Sequence, residues 1–169
     1  MKVILLRGIA ASGKSTLAHE IAKHTKALIW SKDTIFDTCL SLGVEWETAN
    51  KISYDYLYNL IDHNKDNDCT LILDVGLHKN EYAQKVVNYC KENSVEIRAI
   101  LTTCGDVAEW RRRFEVRAKD PAPNQTITDF DEMSEYCGGM EVKLLEGEML
   151  LDSAGDTQAE VEKVLEFIK

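Results

Sequence analysis

The chain has 169 residues, 44% apolar and 29% charged, with two prolines and nine glycines. That balance suits one globular domain and excludes a low-complexity or repeat architecture. Residues 1–119 carry 17 basic and 16 acidic groups, residues 120–169 carry 3 and 13, and the net charge of −9 argues against a general nucleic-acid binder.

Nothing approaches the roughly 18 consecutive apolar residues of a membrane span. The run Val3-Ile4-Leu5-Leu6 is too short for a secretory signal and ends at Arg7. The cysteines at 39, 69, 90, 104 and 137 are odd in number, and no Cys-x-x-Cys or His-x3-His pair suggests zinc. The expectation is a cytoplasmic protein with reduced thiols and no membrane contact.

Residues 2–7 read as a buried strand, a continuous branched apolar run stopped by glycine. A helix over 14–24 carries Leu17 and Ile21 on one side. Residues 27–30 form a second short strand. A helix over 33–42 starts near Asp33 and stops at Gly43. A longer helix over 46–65 repeats Ile52, Tyr56 and Leu60 every four residues. Residues 69–73, CTLIL, are a third strand, and 79–92 a helix with Tyr82, Val86, Val87 and Cys90. A fourth strand covers 95–102. A basic helix spans 106–119, its buried face marked by Val107, Trp110 and Phe114, and the two prolines at 121 and 123 break it. A short helix near 129–136, a fifth strand over 148–151 and a helix over 157–168 complete the chain.

Strands separated by helices run parallel, since each crossover needs a dozen or more residues. The expected fold is an open α/β sheet with ligands at the carboxyl ends of the strands. The segments to inspect are therefore Gly8–Ser15, Ser31–Asp33, Asp74–Lys79, Thr103–Asp106 and Asp152–Ser153.

Gly8-Ile9-Ala10-Ala11-Ser12-Gly13-Lys14-Ser15 matches G-x4-G-K-[ST], with a strand before it and a helix after. Glycines let the backbone turn sharply, and successive N–H groups converge on one concavity. The helix start adds its free N–H groups and positive dipole end, so Gly8, Ala10, Ala11, Ser12, Gly13, Lys14, Ser15 and Thr16 are the expected triphosphate contacts. Lys14 serves the outer phosphates and the Ser15 hydroxyl suits Mg2+. The ligand expected is Mg-ATP. Ala11 stands where many such loops have another glycine.

On this motif the chain resembles the P-loop kinases of small molecules and polynucleotides, a group that includes chloramphenicol phosphotransferase, gluconate kinase and the 5′-polynucleotide kinases. The landmarks SKD at 31–33, LILD at 71–74 and WRRRFEVR at 110–117 fall in the group's order. The resemblance implies a three-layer P-loop fold, a five-stranded parallel sheet and a helical lid near 106–136. It implies transfer of the γ-phosphate of ATP to a hydroxyl, with Asp33 taking the acceptor proton. Asp74 would support Mg2+ beside Ser15 or contact the acceptor, a strand-end turn residue being its plain alternative. The lid's R-x3-R pair matches Arg113 and Arg117, which would stabilise the transferring group. An ordinary helix cap for Asp33, and a solvated helix paired with Glu109 and Glu115 for the arginines, are the plain alternatives.

His78 and Lys79 are further candidates for the acceptor pocket. Trp30, Trp46, Tyr54, Tyr56 and Tyr58 suit either that pocket or the core. The 5′-polynucleotide kinases carry an arginine three residues after the aspartate, where this chain has Phe36, and a polar ATN where this chain has VGLHK. With the acidic balance, that favours a small-molecule acceptor over nucleic acid. A P-loop ATPase or nucleotide switch is the remaining alternative.

Overall fold

The computed structural model describes residues 1–77, 79–138 and 143–169. Five strands form one sheet: β1 (Lys2–Gly8), β2 (Leu28–Ser31), β3 (Thr70–Asp74), β4 (Glu96–Thr103) and β5 (Met149–Asp152). Their spatial order is β2-β3-β1-β4-β5 and every pairing is parallel. The helices are α1 (Lys14–Thr25), α2 (Lys32–Ser41), α3 (Trp46–Asn64), α4 (Asn80–Glu92), α5 (Val107–Arg117), α6 (Phe130–Tyr136) and α7 (Thr157–Phe167).

The alternation of β1 sets the three layers. Val3 and Leu5 face a core made with Leu71, Leu73 and residues of α3 and α4. Ile4 and Leu6 face the opposite core, with Ile72, Ile100, α1 and α7. Both faces of the sheet are thus covered, which is why its strands read as unbroken apolar runs.

A third cluster holds Cys104, Trp110, Phe114, Phe130 and Met133, from α5, α6 and the end of β4. Ile9, Ala10 and Ala11 of the glycine-rich loop pack against it. Trp110 Nε1 donates to the Ala10 carbonyl at 2.8 Å, so this layer is fastened to the loop by a partly buried hydrogen bond. Ala11 has φ of 59°, a left-handed conformation that glycine adopts more cheaply. Its methyl meets the aromatic cluster, which accounts for an alanine there.

Two packing expectations change. In α3 the buried row is Ala49, Ser53, Leu57 and Ile61, while Ile52 and Tyr56 face out. The Ser53 hydroxyl donates to Ala49 O at 2.8 Å, so a polar residue sits inside that row without cost to its hydroxyl. In α5 Trp110 and Phe114 are buried as expected, but Val107 is exposed and lies outside the aromatic cluster.

The ends of β1 and β5 are joined by a pair that strand patterning did not reveal. Arg7 and Glu148 have fully buried side chains. Arg7 Nε and Nη2 donate to the two Glu148 oxygens at 2.6 Å each. The guanidinium also donates to Leu77 O and Lys143 O, and Glu148 accepts from Leu145 N at 2.8 Å. The result is a satisfied buried network just before the loop and beside the segment after β3.

Candidate active site

Gly8 ends β1 with φ of 150°, and a Cβ there would lie 2.2 Å from the backbone oxygen of Thr102 on β4. Only glycine lets the chain leave the sheet at that point. Gly13 precedes α1 with φ of 87°, and a Cβ would come within 3.0 Å of Ser153. Both glycines keep a cradle open that side chains would fill. Inside it the Ser12 hydroxyl is buried with no hydrogen-bond partner among the described residues. A buried polar atom of this kind is satisfied by a bound anion or water.

Lys14 Nζ donates to the Ile9 carbonyl of its own loop at 2.8 Å. Burial pushes its ammonium below the usual lysine value of 10.5, opposed by the nearby charges of Asp74 and Asp33. Lys14, Ser15, Asp33, Asp74 and Arg117 line one cavity of about 320 Å³. Asp74 ends β3 and is nearly buried, paired in register with Leu6 and Ser31. Asp33 lies in the first turn of α2. Ser31 is the cap residue, so the simple capping alternative for Asp33 does not hold.

Three features of this cavity had no sequence signal. Lys32 holds its ammonium 4.1 Å above the Phe36 ring and 5.3 Å from the Tyr54 ring, beside Asp33. Gln125, in the loop after α5, has both side-chain amide atoms buried without a partner. Asp37 on α2 accepts from Asn124 N at 2.8 Å and ties that loop down. Burial raises the Asp37 carboxyl above the ordinary range.

The arginines divide. Arg117 reaches the cavity of Lys14, Asp33 and Asp74. Arg113 donates to Ser153 Oγ at 2.9 Å, Ser153 O at 3.0 Å and Glu109 Oε1 at 2.7 Å. It borders a second cavity of about 360 Å³ on the other flank of the loop, with Gly13, Thr16, Leu17, Ser153 and Thr157. Arg112 and Arg113 together hold the Glu109 carboxyl down to about 2. Arg112 and Arg111 are solvated and paired, Arg111 with Asp131 at 2.5 Å. Over residues 11–16 Arg113 and Arg117 line one further hollow.

Trp46, Tyr54 and Tyr58 line a third cavity, whereas Trp30 is core and Tyr56 faces out. Lys79 lines the same cavity; His78 lies outside the described residues. His19, His24 and His63 are on helix surfaces, as expected. All five cysteines are free thiols. Among the described residues no helix is long and apolar enough to cross a membrane, and no cluster of three or more His, Cys, Asp or Glu forms.

The parallel sheet, its strand order and the glycine-rich loop define a P-loop NTPase fold. The chain belongs to the AAA domain family, whose model matches residues 3–137. Solved structures share the fold over nearly the full length. A sugar kinase from Janibacter sp. HTCC2649 has 15% identity and a TM-score of 0.65, covering 99% of this chain and 94% of its own. A gluconokinase from Sinorhizobium meliloti 1021 has 12% identity and a TM-score of 0.70, with 99% and 91% covered. Chaetomium thermophilum Kti12, solved with ADP-AlF3, has 15% identity and a TM-score of 0.69, with 99% of each chain covered. No curated protein sequence matches the chain.

Proposed function

We propose that this protein is a Mg-ATP-dependent phosphotransferase whose acceptor is a hydroxyl group on a small molecule. The observation that carries the reading is the convergence of Lys14, Asp33, Asp74 and Arg117 on one cavity at the carboxyl edge of the sheet. The kinase-like neighbours support it at the level of fold. The site has a second carboxylate, Asp33, besides the one that would serve the metal, which a phosphate-binding switch does not need.

The loop amides and Lys14 hold the outer phosphates, and the nucleoside lies along the cavity of Gly13, Thr16, Arg113 and Ser153. Ser15 and Asp74 are the residues that would hold Mg2+. They suffice, because this ion keeps several waters and shares phosphate oxygens. When bound, Mg2+ neutralises charge on the phosphates. Asp33 orients the acceptor hydroxyl and takes its proton. The acceptor oxygen bonds to the γ-phosphorus, the bond from that phosphorus to the β–γ bridging oxygen breaks, and ADP leaves with the electron pair. Arg117, closing over the cavity from the lid, stabilises the charge on the transferring group. Arg113 serves the nucleoside end.

Asp33→Asn is expected to bind Mg-ATP within about threefold of the parent and to lose phosphoryl transfer by roughly 100-fold or more, the scale of a general base. Calorimetric binding and ADP release measured on the same preparation check this. Full transfer by the variant would remove Asp33 from the chemistry.

Affinity for ATP should also report the buried Lys14. A bound triphosphate favours the charged ammonium, so the lysine pKa is higher in the complex than in the free protein. Affinity is then constant below the free value and falls as pH rises through it. Because burial sets that value below 10.5, the loss begins at lower pH than for an exposed lysine. Binding takes up a proton in that window, seen as a dependence of the binding heat on buffer ionisation enthalpy.

A further inference from the structure

The cavity that continues from the phosphate site past Trp46, Gly76 and Tyr136 is walled by aromatic rings. It encloses about 520 Å³, within the range of small-molecule sites. Trp46, Tyr82 and Tyr136 are 47%, 46% and 59% exposed and all face this opening. Leaving three large rings in water around one mouth forfeits burial that each would gain inside. Rings grouped in this way mark a binding surface. Tyr54 closes the inner wall, its hydroxyl pushed well above the usual tyrosine range by burial.

The rim is cationic. Lys79 and Lys85 line the same cavity, and Lys85 Nζ lies 5.3 Å from the Tyr82 ring. On the side toward the phosphates, Trp46 packs edge-on to Phe36 with ring centroids 4.7 Å apart, and Asp33 is on the same helix three residues before Phe36. The phosphate side therefore carries the Asp33 carboxylate with the Lys32 ammonium beside it, the walls are aromatic, and the Lys79 and Lys85 ammonium groups line the part away from Asp33.

We infer that the acceptor is a planar aromatic alcohol carrying an anionic group, its ring between Trp46, Tyr54, Tyr82 and Tyr136, its hydroxyl toward Asp33, its anion toward Lys79 and Lys85. This rests on the phosphotransferase reading above and names its acceptor class. A polyhydroxylated aliphatic acid, by contrast, presents hydroxyls along its whole length and would leave them facing rings. The ring stacks, the anion pairs with the rim, and the transfer is the same exchange of an O–H bond for an O–P bond.

The chemistry has two sources, an aryl acid or a mononucleotide, and the test separates them. ADP release is measured with 4-(hydroxymethyl)benzoate, adenosine 3′-monophosphate, benzyl alcohol, gluconate and a 5′-hydroxyl oligonucleotide. One or both anionic aromatic probes should raise turnover above the rate without acceptor, the active one identifying the source. Lys79→Ala/Lys85→Ala should raise its KM at least tenfold, with ATP affinity kept within about twofold of the parent. Tyr82→Ala should raise the KM of both aromatic classes. Gluconate turnover insensitive to these variants overturns the inference, as does a preference for the oligonucleotide over the mononucleotide. If ATP binds but neither aromatic anion is turned over, the acceptor class is wrong while the phosphotransferase reading stands. If Mg-ATP itself fails to bind, that reading fails first.

Discussion

Lys14→Ala should weaken Mg-ATP binding by roughly 10- to 100-fold and lower turnover at saturating ATP by a further 100-fold or more. The first figure follows from losing one charge-assisted hydrogen bond of about 1.5–3 kcal/mol. The second follows from removing a fixed positive group at a centre where negative charge moves. The ammonium is already held inside the loop, on the Ile9 carbonyl, in a buried site flanked by Asp33 and Asp74. Alanine would remove a cation that both carboxylates face, so the cavity would become less favourable to a triphosphate. Calorimetry with and without Mg2+, beside steady-state ADP release, reads both numbers. Stability should not fall in parallel, because truncation relieves a desolvated charge. Unfolding in urea on the same sample separates a loss of binding from a loss of fold.

Glu148→Ala should lower stability by about 3–5 kcal/mol, the cost of leaving its partner charge buried and unpaired. The partner is Arg7, whose guanidinium is bidentate on Glu148 with no solvent exposure on either side chain. For a chain of this size the loss corresponds to a fall in Tm of roughly 10 °C or more. Arg7→Met/Glu148→Leu should recover part of it, since no charge is left unpaired although the Leu77 and Lys143 carbonyls and the Leu145 N–H lose these partners. The functional consequence is separate. Arg7 adjoins Gly8 and also holds the carbonyl of Leu77, so the pair braces the phosphate loop and the segment after β3 together. The double variant should fold yet bind ATP less tightly than the parent, because the brace on those two segments is gone. A double variant as unstable as Glu148→Ala would mean that the site needs the charges and not merely the volume.

The strands and helices were legible in the sequence because their apolar runs and periods are local properties. The phosphate loop was legible because its chemistry is confined to eight consecutive residues. Arg7 and Glu148 were not, since they are 141 positions apart and each looks like the polar end of a strand. The buried row of α3 was missed for a different reason. Ala49 and Ser53 carry little hydrophobic signal, while their exposed neighbours Ile52 and Tyr56 carry much. Arg113 and Arg117 share a helix face, as their spacing required, but Ser153 and Glu109 draw the first toward the second cavity. That division depends on the strand-end residue opposite, which no spacing rule on α5 contains. Phe36 was legible as a departure from an arginine. The cation nevertheless near that position, Lys32 over the Phe36 ring, was visible only once α2 and α3 were packed together.

The aromatic cavity shows the same limit from the other side. Trp46, Tyr54 and Tyr58 were assignable to either core or pocket at helical spacing. The structure separates them from Trp30 and adds Tyr82 from α4 and Tyr136 from α6. Residues from three helices make the wall, so no single segment of sequence carried it.

The fate of the γ-phosphate tests the central claim most directly. Phosphorus NMR of the protein with Mg-ATP and the anionic aromatic alcohols follows that group without any coupling enzyme. A phosphomonoester signal should grow in step with ADP, and should be suppressed by roughly 100-fold or more in Asp33→Asn. Inorganic phosphate as the sole product, released at one rate by the parent and by Asp33→Asn with every acceptor, would contradict phosphoryl transfer and make this fold a nucleotide hydrolase.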